Sequence, residues 1–208
     1  MQILHIDCSP RETSHSRQLS AGLLARLSTL LPHARVVRRD LGRDPLPHPQ
    51  ADYAEALSSP GAAVTTQAND LSEQLIREIE AADALVIGTP MNNFTVPSAF
   101  KAWIDQILRM GRSIGATAEG GKIGLLQDKP VYIGIASGGV FTGEKARQPD
   151  FLMPYLKAAF DCIGLHSLQF FPLQATAFRD HESLAAERLA LVERMDTGWI
   201  GQAALPAA

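Results

Sequence analysis

The stretch Ala84-Leu85-Val86-Ile87-Gly88-Thr89-Pro90-Met91-Asn92-Asn93-Phe94 runs from a short, wholly apolar segment straight into a loop of amides, prolines, a thioether and an aromatic ring. An apolar run with no polar face to give to water reads as a strand covered on both sides, which is the middle of a parallel sheet. Gln2 to Asp7 and Pro130 to Ala136 have the same character, and Arg35 to Asp40 and Leu168 to Leu173 read as further strands. Helical spacing separates them. Ser16 to Leu31 puts Leu19, Leu23, Leu24, Leu27 and Leu31 on one face, and Leu71 to Ala81 does the same with Leu71, Leu75, Ile76 and Ile79 after a cap at Asn69 or Asp70. Ser98 to Met110, Phe151 to Ile163 and Asp180 to Met195 are the remaining helices, and the Pro-, Gly-, Ala- and Ser-rich residues from Leu41 to Gln67 form a long excursion with a short helix around Tyr53 to Leu57. Strands alternating with helices predict an α/β fold, a doubly wound five-stranded parallel sheet of order 2-1-3-4-5 with helices on both faces. Residues 1–200 are expected to form a single domain, and 201–208 a frayed tail.

Bulk composition narrows the function. The 208 residues are 46% hydrophobic and 20% charged, which suits one globular domain, and the net charge of -3 leaves no basic stripe for nucleic acid. Cys8 and Cys162 form neither a Cys-x-x-Cys pair nor a disulfide framework, so a reducing compartment is expected. The opening MQILHIDCSP lacks a basic region and a long apolar run, and no window is apolar enough to span a bilayer. These features predict a cytoplasmic chain with neither membrane nor nucleic-acid partners. The six histidines are scattered, so no metal site is expected.

In the predicted topology a ligand sits beyond the carboxyl ends of strands 1, 3 and 4. The first loop, Cys8 to Arg17, is dense in hydroxyls and opens a helix, where unpaired N–H groups and the helix dipole favour an anion. Ser9, Ser14, His15 and Ser16 are the candidate phosphate ligands, although Ser14 or Ser16 also serves simply as a helix cap. The loop is not G-x-G-x-x-G. Gly115 to Lys122 fails as a P-loop, because Ala116 takes a glycine position and Ile123 the Ser/Thr position. In the second loop Pro90, Met91, Asn92, Asn93 and Phe94 can lie along a flat heteroaromatic ring, with the Asn93 amide matched to a pyrimidine-dione edge. In the third loop Ser137, Gly138 and Gly139 allow backbone N–H groups to approach a ligand closely. One loop suits a phosphate and two suit a planar ring, which together describe FMN. Phe94, Phe141 and Phe160 are each either pocket wall or plain core.

These residues resemble the FMN-dependent NADH:azoreductase and NAD(P)H:quinone oxidoreductase family, whose fold is flavodoxin-like. Thr89 to Phe94 is similar to its A/T-P-M-Y-N-F, Lys101 to Asp105 to its K-x-[YW]-[IF]-D helix, and the opening C-S-P-R-x-x-x-S-x-S-x-x-L-S to its phosphate loop. Pro154 to Leu156 through Ile163 and Gly164 resembles its fourth helix. The resemblance implies FMN held by Ser9 and Ser14 to Ser16 at the phosphate, Met91 to Phe94 along the isoalloxazine, and Ser137 to Gly139 at its polar edge. It implies NADH or NADPH as donor, a small aromatic acceptor (a quinone or azo compound), and a homodimer. Asn92 replaces the family Tyr, Ala136 to Gly139 replaces S-R-G-G, and Gly111 to Glu119 lacks the family's Phe and Tyr; the missing aromatics would line the open face of the flavin.

The expected activity is two-electron ping-pong transfer in which the flavin carries the chemistry and no side chain is catalytic. The N–H groups of Gly138 and Gly139 are candidates to stabilise negative charge on the reduced ring. Two other readings remain: a flavodoxin-type electron carrier, disfavoured by the mild charge, and a flavin-free protein that kept the fold. Cys8 is expected to be a buried structural thiol, and Arg11 and Arg112 are the only guesses at a reader of the NADPH 2′-phosphate.

Overall fold

Successive side chains of the central strands point to opposite faces of the sheet, and in this chain both faces are apolar. The computed structural model describes residues 1–48, 51, 53 and 66–200. Its strands β1 (Gln2–Asp7), β2 (Arg35–Asp40), β3 (Ala84–Pro90), β6 (Val131–Ala136) and β7 (Leu168–Leu173) pair in the order β2-β1-β3-β6-β7, and every pairing is parallel. This is the order predicted from the alternation of elements.

The pleat sorts the core into two layers. Leu4, Ile6, Leu85, Ile87, Ile133 and Ile135 face one side, where they meet Leu75 and Ile79 of α2 (Thr66–Ala81), Phe100 and Trp103 of α3 (Ser98–Ile107), and Leu156 and Phe160 of α4 (Leu152–Asp161). Ile3, Val86 and Tyr132 face the other, against Leu19, Leu23 and Leu27 of α1 (His15–Leu30) and Leu184 and Leu191 of α5 (His181–Glu193). Each such buried side chain contributes about 1.5–3 kcal/mol relative to exposure. A Cβ at Gly88 would lie 2.6 Å from Ser20 Oγ, so glycine there lets α1 pack hard against β3.

Several sequence expectations shift. α2 begins at Thr66, which places Asn69 and Asp70 inside the helix and not at its cap. α3 ends at Ile107, three residues before the expected Met110, because the chain turns into a small antiparallel ribbon of β4 (Ile114–Ala116) and β5 (Lys122–Gly124). That ribbon also accounts for the Gly-Gly-Lys at 120–122, which closes a hairpin. The short helix expected around Tyr53 to Leu57 and the tail at 201–208 lie outside the described residues. Among the described residues, no helix is long and apolar enough to cross a membrane.

Candidate functional site

The sheet changes winding direction between β1 and β3, since β1 connects outward to β2 while the chain returns to the other side of β1. A cleft of about 290 Å³ opens at the carboxyl ends there, lined by Ser9, Ser14, His15 and Ser16, by Pro90, Met91 and Asn92, and by Ala136 and Gly138. Larger depressions of about 430 and 600 Å³ lie where strands begin, at Pro130 and Leu168 and at Gln2 and Arg35. Open α/β sheets bind ligands at the carboxyl ends, so position outweighs volume in choosing the smaller cleft.

The first loop is built to leave donors unspent. The Cys8 N–H donates to the Gly88 carbonyl at 2.9 Å, which fixes the loop over β3. Ser14 caps α1 by accepting from the Arg17 N–H at 3.3 Å, and its hydroxyl also lies 3.2 Å from Ser16 Oγ. The cap and ligand readings of these serines are therefore compatible. The N–H groups of His15 and Ser16, in the first turn of α1, have no acceptor among the described residues. His15 Nδ1 is buried and also without a partner among the described residues. Burial lowers the pKa of His15, and Arg188, Arg11 and His181 push it the same way. Among the described residues neither Arg11 nor Arg188 has an ion-pair partner. Unspent N–H groups beside unpaired guanidinium groups form a receptor for an anion.

Arg17 has a different task. Its Nε donates to the Ser9 carbonyl at 2.9 Å, while its terminal nitrogens grip Asp40 at 2.5 and 2.8 Å and lie 3.5 Å from Asp7. The hydrogen bond from Arg17 holds the Asp40 carboxyl below its ordinary value. This cation is spent on carboxylates and on the shape of the loop.

The second loop contains a two-residue turn. Asn92 and Thr95 exchange backbone hydrogen bonds of 2.9 and 3.0 Å around Asn93 at φ 47° and Phe94 at φ 70°. Asparagine tolerates that region, whereas a phenylalanine there costs about 1–2 kcal/mol. Phe94 is 45% exposed, and its carbonyl accepts from the Phe151 N–H at 3.1 Å. The Met91 N–H donates to the Ala136 carbonyl at 2.9 Å and so ties this loop to the third. In the third loop the N–H groups of Gly138 and Gly139 have no acceptor among the described residues, while their carbonyls accept from the N–H groups of Ala177 and Ala175.

Eight of the residues assigned to FMN from sequence meet at the cleft: Ser9, Ser14, His15, Ser16, Pro90, Met91, Asn92 and Gly138. Asn93, Phe94 and Gly139 stand on the adjoining turns. Ser137 lies beneath the surface, buried, with its carbonyl accepting from Thr176 N–H and Oγ1 and its hydroxyl accepting from Gln148. Pro10, Arg11, Ala136 and Thr176 also line the cleft. Thr176 escaped sequence reasoning because it follows β7, a strand whose loop the topological argument leaves out. Phe141 and Phe160 are core, and burial pushes the Cys8 thiol up, as suits a structural thiol. Arg112 is engaged by Glu73 and Glu80, which removes it as a reader of a 2′-phosphate. Among the described residues, no group of three or more His, Cys, Asp or Glu side chains could hold a metal ion.

A family model described as a flavodoxin-like fold matches residues 1–195. The chain belongs to that family. A curated relative from Pseudomonas fluorescens, named FMN-dependent NADH:quinone oxidoreductase 4, is 48% identical over 179 residues, covering 86% of each chain. Another from Cupriavidus pinatubonensis, named FMN-dependent NADH:quinone oxidoreductase 2, is 39% identical over 212 residues, covering 100% of this chain and 99% of its own. The crystal structure of a Bacillus anthracis FMN-dependent NADH-azoreductase in complex with FMN superposes with a TM-score of 0.79, covering 98% of this chain and 99% of that one at 22% identity, and so shares the fold. The resemblance to this family read from the sequence is borne out by these matches.

Proposed function

We propose that this chain binds FMN in the cleft at the carboxyl ends of β1, β3 and β6, and uses it to pass two electrons from NADH or NADPH to a quinone or azo compound. The observation that carries the reading is the convergence of unspent backbone donors there, at His15 and Ser16 on one side and at Gly138 and Gly139 on the other. The first pair, with the hydroxyls of Ser9, Ser14 and Ser16 and the charges of Arg11 and Arg188, suits a phosphate dianion. The second pair suits the polar edge of a ring that gains negative charge on reduction. Pro90, Met91, Asn92, Asn93 and Phe94 supply the wall along the ring face. When bound, FMN supplies a two-electron centre that a nicotinamide reduces and a flat acceptor reoxidises, in ping-pong order.

The relatives' names support NADH as donor and quinones as acceptors. The reading takes residues 1–200 as one FMN-binding unit in the cytoplasm. It also takes the chain as a homodimer: Phe94 and Phe151, both exposed and joined through the backbone beside the cleft, are apolar surface for a second copy to cover.

Titration of the apoprotein with FMN, read by loss of free-flavin fluorescence, tests the proposal. Saturation at one FMN per chain is expected, followed by NADH oxidation on adding a quinone. Replacing Ser9 and Ser16 together with Ala is expected to weaken FMN by about tenfold or more, since a hydrogen bond to a charged group contributes about 1.5–3 kcal/mol. Unchanged FMN fluorescence with the wild-type chain refutes the assignment, and stable reduction without NADH turnover points to an electron carrier.

A further inference from the structure

The two loops assigned to the ring are joined by a side chain that belongs to neither. Gln148, in the stretch between β6 and α4, donates from Nε2 to Ser137 Oγ at 2.9 Å and to Met91 Sδ at 3.2 Å. The Ser137 hydroxyl in turn donates to the same sulfur at 3.8 Å. Both amide hydrogens of Gln148 are used, and Ser137 accepts one bond while giving another. Ser137 is only 2% exposed, and Met91 and Gln148 are half-buried around it. On its other side the amide packs against the third loop, where a Cβ at position 139 would lie 2.7 Å from Gln148 Oε1. One side chain therefore touches the thioether of the second loop, the hydroxyl of the third, and the backbone beside the unspent N–H groups of Gly138 and Gly139.

We propose that Gln148 is a positioning residue: its amide sets the spacing between the Met91 loop and the Gly138-Gly139 loop, and thereby fixes how much more tightly reduced FMN is held than oxidised FMN. The inference rests on the FMN reading above. The oxidised ring is neutral and gains little from two aligned N–H donors. The reduced ring carries negative charge, and hydrogen bonds to an anion are about twice as strong as neutral ones and weaken steeply with misalignment. Loosening the loops therefore penalises the reduced form more.

The test compares Gln148→Leu, Gln148→Glu and Ser137→Ala with the wild-type holoprotein. Glutamate keeps the length of the side chain, but its carboxylate has no hydrogen to donate to Ser137 or Met91. Two quantities are measured, the Kd for oxidised FMN and the midpoint potential of bound FMN against a reference dye. For Gln148→Leu, oxidised FMN is expected to weaken less than about threefold and reduced FMN by about tenfold more, and each extra tenfold lowers the potential by about 30 mV for a two-electron couple. The Ser137→Ala and Gln148→Leu double variant is expected to fall no further than Gln148→Leu alone, because both changes break one cluster. A Gln148→Leu protein that binds FMN at the wild-type potential, or loses both redox forms equally, overturns the proposal. Should Gln148→Leu fail to fold, Ser137→Ala decides: a lowered potential supports the inference and an unchanged one overturns it. A wild-type chain that does not bind FMN removes the site assignment and the inference together, a result distinct from normal FMN binding with variants of unchanged potential.

Discussion

Replacing Arg17 with Met probes the frame on which the phosphate-side loop rests. The substitution keeps the aliphatic stem and removes the guanidinium, leaving Asp40 without its paired bonds of 2.5 and 2.8 Å and the Ser9 carbonyl without its bond of 2.9 Å. Stripping one partner from a fully buried ion pair costs about 3–5 kcal/mol, and an exposed pair is worth about 0–1 kcal/mol. Arg17 is 14% and Asp40 31% exposed, so the freed carboxylate regains part of its hydration and the expected cost lies between those limits, about 2–3 kcal/mol. A chain of this length loses about 2–4 °C in Tm per kcal/mol, which gives a fall of about 5–10 °C at neutral pH. Acid should shrink that difference. Because Arg17 depresses the folded-state pKa of Asp40, the pair's contribution is complete above the unfolded-state value near 4 and is lost as pH falls through the depressed folded-state value. Thermal melts of both proteins from neutral pH down into the acid range check this, with FMN titration alongside, since a released Ser9 carbonyl lets the loop relax and weakens FMN. An Arg17→Met protein as stable as the wild type at pH 7, or a gap that widens in acid, refutes the reasoning.

Three further substitutions give separable results. A Cβ on Gly42 would lie 2.0 Å from the Ser9 carbonyl oxygen and 2.8 Å from Pro10 N, so Gly42→Ala should displace the first loop, cost about 1–3 kcal/mol by overpacking, and weaken FMN more than it lowers Tm alone would suggest. Glu73 is held at a pKa of about 2, first by hydrogen bonding to Arg112 and then to Arg109 and Arg77. Its contribution is therefore present above the unfolded value near 4.3 and lost as pH falls toward 2; Glu73→Gln should be less stable at pH 7, with the gap closing over that window in denaturant melts. Phe94→Gly relieves a positive φ but also gives the unfolded chain more freedom, so stability should stay within about 1 kcal/mol of the wild type while FMN affinity falls, as seen by melting and fluorescence titration.

The sheet order was legible because both kinds of periodicity were clean. Runs such as Ala84–Gly88 have no polar face, and helices such as Ser98–Ile107 put Phe100, Trp103 and Ile104 on a single side. The β4–β5 ribbon was not legible, because three-residue strands flanked by Gly111, Gly120 and Gly121 carry too few alternating positions to register. The start of α2 was misplaced for a related reason: Asn69 and Asp70 look like caps by residue type, yet the helix reaches back to Thr66. At the cleft the three loops were found through topology, so the loop bearing Thr176, after an edge strand, was passed over. Gln148 was invisible for a deeper reason. Its bonds to Ser137 and Met91 span 11 and 57 residues of sequence, and no local pattern marks a glutamine for such a role.

The donors that make this cleft a receptor are mostly main-chain N–H groups, those of His15, Ser16, Gly138 and Gly139. A site built that way keeps its main-chain donors whichever side chain stands at position 92, where Asn92 departs from the family pattern. That departure reshapes the wall presented to an acceptor and leaves the main-chain donors in place. What the cradle cannot lose is whatever holds the backbone in place: the Arg17 fork under Ser9, the close backbone approach at Gly42, and the Gln148 amide between the two ring-side loops. None of these needs to touch the ligand. Substitutions at such supports should therefore damage FMN binding or its potential, while substitutions at Asn92 should alter acceptor preference, measured as kcat/KM across a quinone series, more than they alter FMN affinity.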